Sequence, residues 1–472
     1  MRPAPVRWLV LVAAAGLTLA ACASGTGNDN AGDNDNPDDS TVEGSSAFDP
    51  DAELSGNMTI MGFALGDEIA EIRYDDAVAA IEPVDVSLAE GELDIQQFLS
   101  AMATGEPPDL IRPNRDQIGT FASRGAIMPL NECVDGEGID VSMYREAAVE
   151  QVTFEGQLYA IPEFNQVQIT MANADLLDEA GLTLDDVDGS DWEAIEAATE
   201  AMYEQDGGRL SVIGFDSKLP EFLPLWVRAN GGQLLSDDGR TAHLDDPKVV
   251  EALEWAVGIY ELQGGFGTVK AVRDSADFFG NGNQFAAGEL GAMQFEQWYV
   301  NVLNDVSPDA PLAFTTAKDR QGQPIAYSSG SAWAISADAD NPEAACRFIK
   351  TMTAPETWMK AAQARADARA EDGKPFTGLL TGNAVADQEI YDALVEPSGD
   401  AKWDAAIEAT YEANEHTTSL PANPADAEFK TAWQDAVNRV LNGQQEPQAA
   451  MEQAQQEAQS ALDEAWAAWD ED

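Results

Sequence analysis

Short runs of β-type residues alternate with longer amphipathic helical stretches through most of this 472-residue chain. That alternation constrains it to an α/β architecture with mostly parallel sheets. Met58-Thr59-Ile60-Met61-Gly62-Phe63 reads as a strand, Asp67 to Ala80 as a helix and Val84-Asp85-Val86-Ser87-Leu88 as a second strand, which makes a βαβ opening. Later helix starts are well marked. Ser190 with Glu193 has capping-box spacing, while Asp246-Pro247 and Asn341-Pro342 each place a capping side chain before a proline at the first helical position. The stretch from Glu446 to Trp469, rich in Ala, Gln and Glu and free of Gly, predicts a long terminal helix.

At the amino end, Arg2 and Arg7 precede an apolar run from Trp8 to Ala20, the order of an export signal. The run is shorter than the roughly 20 residues that a membrane-spanning helix needs, so a cleaved signal over residues 1–21 is expected. Leu19-Ala20-Ala21-Cys22 resembles the lipobox of bacterial lipoproteins, which implies lipidation of Cys22 and attachment through that lipid to the outer face of the cytoplasmic membrane. Residues 22–53 are Gly, Asn, Asp, Ser and Pro with almost no large apolar side chain, and cannot bury enough surface to offset ordering; they read as a flexible tether. Within it Asp33-Asn34-Asp35-Asn36-Pro37 lacks the Gly and the later Glu of a calcium loop, so no metal site is expected.

The remaining body, roughly 420 residues, is long enough for two domains. Eighty-five acidic against 25 basic residues give a net charge of −60, which excludes nucleic-acid and anionic-lipid surfaces and suits neutral or cationic solutes. Beyond Cys22 only Cys133 and Cys346 remain, and a bridge or two buried thiols are both open. Neither His243 nor His416 stands beside a nucleophile or metal pattern, and no Ser-centred elbow or phosphate loop is present. Paired carboxylates would serve a glycosidase, but in so acidic a chain their abundance carries no signal. These residues carry no catalytic or cofactor pattern, so neither enzymatic activity nor a cofactor is expected.

Several segments in order resemble the family-1 extracellular solute-binding proteins, the maltose-binding-protein-like group. They are Gly105-Glu106-Pro107-Pro108-Asp109-Leu110-Ile111, Phe154-Glu155-Gly156-Gln157-Leu158-Tyr159-Ala160-Ile161-Pro162, Asp175-Leu176-Leu177-Asp178-Glu179-Ala180-Gly181-Leu182 and Phe285-Ala286-Ala287-Gly288-Glu289-Leu290-Gly291-Ala292-Met293, with Gly330-Ser331-Ala332-Trp333 beyond. Met171-Ala172-Asn173-Ala174-Asp175 departs from the family's usual Tyr-Asn before the acid. The resemblance implies a two-lobed periplasmic-binding-protein-like fold of the class II type, with the ligand cleft between the lobes. The lobes are expected at residues 54–163 plus 314–376 and 164–313 plus 377–472, with crossings near 162–168, 308–314 and 375–381. It further implies a monomeric carrier that closes on a small solute, most simply a carbohydrate, and delivers it to ABC permease subunits. A polyamine or peptide ligand, a secreted glycosidase and a structural surface lipoprotein are the competing readings.

A sugar offers apolar faces and a ring of hydroxyls, so its site needs flat aromatic platforms and paired hydrogen-bonding groups. The resemblance places Trp298 in the cleft as a stacking platform, Trp226 and Arg228 at the second lobe's edge, and Trp333 by the hinge. It places Asp116, with neighbours Asn114 and Arg115, on the first lobe. Asp67 either meets ligand or caps its helix, and Glu163, Asn165 and Gln166 lie on the first crossing. Arg112, Arg115 and Arg228 near the cleft count against a cationic ligand.

Overall fold

The computed structural model describes residues 48–471. The segment expected to be an export signal, Cys22 with its expected lipid, and most of the expected tether lie outside the described residues.

The opening follows from its residue pattern. In β1 (Asn57–Phe63) Met58 and Ile60 alternate with exposed neighbours and face the core, as a strand's two-residue period requires. A helix Glu68–Ala80 follows, with the Asp67 side chain accepting from the Ala70 N–H at its start. β2 (Asp85–Glu90) then pairs parallel with β1, Ile60 opposite Leu88. β3 (Leu110–Ile111) lies parallel on the other side of β1. The remaining strands of the two main sheets are β4 (Ile161–Pro162), β5 (Gln168–Asn173), β6 (Glu204–Asp206), β7 (Arg209–Asp216), β8 (Leu290–Glu296), β9 (Leu312–Thr316) and β10 (Ala332–Ile335).

The first sheet runs β2-β1-β3-β10-β4 and the second β9-β5-β8-β7-β6. Both are mixed. β10 is antiparallel to β3 and to β4, and in the second sheet only β7 and β8 pair in parallel. The expectation of mostly parallel sheets fails because β6 and β7 form a local hairpin, and because β5 and β10, each entering directly from a crossing between lobes, run against their neighbours.

Helices cover both sheets. Pro342–Thr353 and Pro355–Glu371 pack on Glu68–Ala80 in the first lobe, and Ala401–Glu415 packs on β9 in the second. Asp426–Leu441 and Pro447–Glu471 form a carboxy-terminal pair. Two helix starts differ from the sequence reading. Asp191, not Ser190, caps Trp192–Met202, because the two capping-type residues are adjacent and Ser190 is held by Asp188. Asn341 caps nothing; its amide donates to the Ser55 and Asn57 carbonyls. Cys133 and Cys346 are joined as a disulfide, Cα atoms 5.8 Å apart.

The crossings also differ in part. β9 belongs to the second sheet, so the return to the first lobe falls at 317–331 and not at 308–314. Helix Ala384–Leu394 packs on Pro355–Glu371 before Ala401–Glu415 joins the second lobe, which moves the last passage beyond 375–381.

Candidate functional site

Three chain segments meet at the hinge. Gln166 and Ser329 exchange backbone hydrogen bonds, the Glu163 N–H donates to the Ser331 carbonyl, and the Asn165 N–H donates to that of Leu380. Gly330 lets the strands approach, since a Cβ there would lie 2.0 Å from the Phe164 carbonyl oxygen. Beneath this seam the buried Arg115 guanidinium donates to Gln151 and Asn165 (2.9 and 2.7 Å), to Ser328 Oγ (2.9 Å) and to the Phe164 and Ser329 carbonyls. Burial lowers its pKa to about 9, which still leaves it a cation at neutral pH. Glu163, fully buried, takes Arg73 and Arg112 together with Ser331. Burial alone would raise this carboxyl; the two guanidinium groups outweigh it and hold the pKa at about 2.

Against the hinge lies a cavity of about 200 Å³ with walls from both lobes and from helix Asp426–Leu441. Phe222, Tyr327, Phe429 and Trp433 supply aromatic surface, and Asp116, Glu221, Glu296 and Asp426 supply carboxylates. A second chamber of about 210 Å³ is lined by Asp67, Asn165, Gln166 and Trp298 among others. Glu296 lines the first chamber and the next residue, Gln297, lines the second. A larger groove of about 710 Å³, around Arg145, Arg228, Asn414 and Glu415, shares Tyr327 with the first chamber. It offers that one aromatic ring, and its Arg145 is committed to Asp387 and Glu415. The two chambers therefore carry the richer mix of aromatic and hydrogen-bonding lining.

The sequence-derived candidates divide accordingly. Asp116 lines the first chamber and pairs with Lys430. Trp298, Asp67, Asn165 and Gln166 line the second, although Asp67 also caps its helix and pairs with Arg365, and Asn165 serves the hinge. The Trp298 ring stacks on Phe279, centroids 6.1 Å apart at 15°. Two candidates are corrected to core residues. Trp226 is fully buried with its Nε1 donating to the Ser217 carbonyl, and Trp333 is fully buried between Phe63 and Phe348. Glu163 is walled off by its two arginines, and Arg228 lines the other groove. Asn114 is exposed in a capping box with Gln117, outside the lining of both chambers. None of Arg112, Arg115 and Arg228 offers the cleft a free cation: the first pairs with Glu163, the second is spent on the hinge and the third lies elsewhere.

Sequence reasoning missed the wall made by Phe429, Lys430 and Trp433, and with it Phe222, Glu221 and Tyr327. Phe429 and Trp433 stand four apart on one helix, a spacing that puts both rings on one face. Among the described residues there is no group of three or more His, Cys, Asp and Glu placed to hold a metal ion, and no helix long and apolar enough to cross a membrane.

Two mixed-sheet lobes, joined by repeated crossings around a polar and aromatic cleft, define a two-lobed α/β solute-binding fold of the periplasmic-binding-protein kind. Residues 80–369, more than half of the chain, match the family model of the bacterial extracellular solute-binding proteins, and the chain belongs to that family of non-catalytic transport proteins. The maltotriose-binding protein of Pyrococcus abyssi is 22% identical over 268 residues, 56% of this chain and 55% of the relative. The chain thus spans about half the length of the curated relative it matches. An ABC substrate-binding protein from Listeria monocytogenes, solved with cycloalternan, superposes with a TM-score of 0.67 at 19% identity over 87% of this chain and 99% of that one. The GacH receptor of Streptomyces glaucescens, solved unliganded and with acarbose, gives a TM-score of 0.65 at 17% identity over 87% and 99%. At these identities the likeness shows the fold.

Proposed function

We propose that this protein captures a mono- or oligosaccharide outside the cytoplasmic membrane by closing its lobes on it, and hands it to ABC permease subunits as a monomeric, lipid-anchored carrier. The observation that carries the reading is the first chamber. Aromatic faces from both sides of the cleft and Asp116, Glu221 and Glu296 converge there, the pairing of flat apolar surface and hydrogen-bonding groups that a sugar ring needs. The ligands with which its structural relatives were solved, cycloalternan and acarbose among them, support the same class. Ligand touching both lobes favours the closed state by its differential affinity, and closure is what a permease can read.

Intrinsic tryptophan fluorescence and thermal melting against a panel of mono- and oligosaccharides, polyamines and peptides test this. A bound sugar at a hundredfold excess over its Kd adds about 2.7 kcal/mol of stability. That shift should vanish in Trp433→Ala and weaken in Trp298→Ala, and silence toward every saccharide would refute the reading. Lipid anchoring is tested separately: Cys22→Ser should release the protein into the medium, and retention of that variant on the membrane would argue against it.

A further inference from the structure

Among the described residues, every buried acid outside the first chamber except Asp109 is paired with a cation. Glu137 takes Arg347 and Lys350, Glu163 takes Arg73 and Arg112, Asp188 takes Lys318, Asp216 takes Arg273 and Asp387 takes Arg145. Asp109 has no cation but is satisfied by the Thr59 N–H, the Thr59 hydroxyl and the Asn341 N–H. The first chamber breaks this rule. Asp426 is 8% exposed, and its Oδ1 accepts from Asn423. Its Oδ2 is shielded from solvent without a hydrogen-bond partner, although the Gly119 and Thr120 amides lie near enough to favour its charge. Among the described residues no cation pairs with Asp426, Glu221 or Glu296; Glu296 accepts only the Trp298 Nε1–H. Asp116 spends Oδ2 on Lys430 and keeps a shielded, unpartnered Oδ1. Lys218 lies near Glu221 and Glu296 and offsets them in part, but it sits over the Phe295 ring, 4.6 Å from its centroid, and bridges to neither.

A second feature points to an occupant with both donors and acceptors. Trp433, 4% exposed on the chamber wall, has an Nε1–H with no acceptor. Leaving a buried donor or a buried acceptor unpaired is costly, and a ligand that meets both recovers that cost. A saccharide hydroxyl or ring oxygen satisfies the indole. A protonated nitrogen satisfies the carboxylates, whose burial and mutual repulsion otherwise push Asp426 well above the usual carboxylate range.

We infer that the ligand of this cleft is a saccharide bearing a protonated amine, its nitrogen held by the neighbouring acids Asp116 and Asp426, with Glu296 adding negative charge on the same chamber's wall, and an oxygen held by Trp433. The inference rests on the sugar-binding reading above and narrows it. It is tested by calorimetry on the full chain with three matched probes: the β-1,4 dimer and trimer of glucosamine, their N-acetylated forms, and cellobiose and cellotriose. The expected result at pH 7 and low salt is at least tenfold tighter binding of the amines, with the preference shrinking as salt screens it. Glu296→Gln and, separately, Asp426→Asn should each reduce that preference while melting curves show the variants folded. Equal or tighter binding of a neutral probe overturns the inference and leaves the sugar reading standing. Binding of other neutral saccharides with none of the amines does the same. Silence toward all saccharides, aminated or neutral, overturns both.

Discussion

The ammonium of Lys430 meets the carboxylate of Asp116, tying a helix near the carboxy end to a single 3-10 turn of the first lobe that precedes it by more than three hundred residues. Both side chains are more than a third exposed, so the pair adds about 1 kcal/mol or less to stability. Its value is positional: it holds a carboxylate at the wall of the ligand chamber. Asp116→Asn should therefore leave the melting temperature nearly unchanged and weaken ligand binding at least tenfold. A large loss of melting temperature with unaltered affinity would contradict that role.

Gly330 is the tightest point of the hinge, with φ +148° and no space for a Cβ. Gly330→Ala should cost more than the roughly 1–3 kcal/mol of backbone strain alone, because its Cβ also meets the Phe164 carbonyl oxygen, and should blunt ligand-induced closure. Chemical denaturation reads the first effect and small-angle scattering with and without ligand the second.

At Glu163 the folded pKa of about 2 lies below the ordinary 4.5. A depressed carboxyl contributes stability that is complete above about pH 4.5 and is lost as the pH falls toward 2. Glu163→Gln leaves two arginines facing a neutral amide, and should destabilise the protein by about 3–5 kcal/mol at neutral pH while flattening its acid-side loss of stability. Melting curves from pH 2 to 7 for both proteins measure the two effects together.

The disulfide joins helix Asn131–Glu137 to helix Pro342–Thr353 across a separation of 213 residues. Replacing both cysteines with serine should lower stability by about 2–5 kcal/mol. Unfolding in urea with and without reductant should show the same difference for the natural chain and none for the variant.

Much of the architecture was legible because it is written locally. β1, the Asp67 cap and the helix at Pro247 each follow from residues within a few positions of one another. The site was less legible for a physical reason. Asp116 was placed by the family resemblance of the segment before it, but its wall partners Lys430 and Trp433 come from a distant helix and reach it only through the fold. Tryptophans mislead in the same way. Trp226, Trp298 and Trp333 look alike in sequence, and only packing separates the half-buried Trp298 from the two sealed in the core. Sheet direction, too, depends on the path of the chain between lobes, which strand residues do not encode.

The Cys133–Cys346 bond closes a covalent ring, and all of β5 to β9 lies on the arc between its ends. A protease that nicks this arc once, for instance beside the exposed Phe279, leaves both fragments on the same molecule. The nicked protein would migrate as one species until reduced and as two afterwards, so a break in the second lobe's backbone does not by itself shed either fragment.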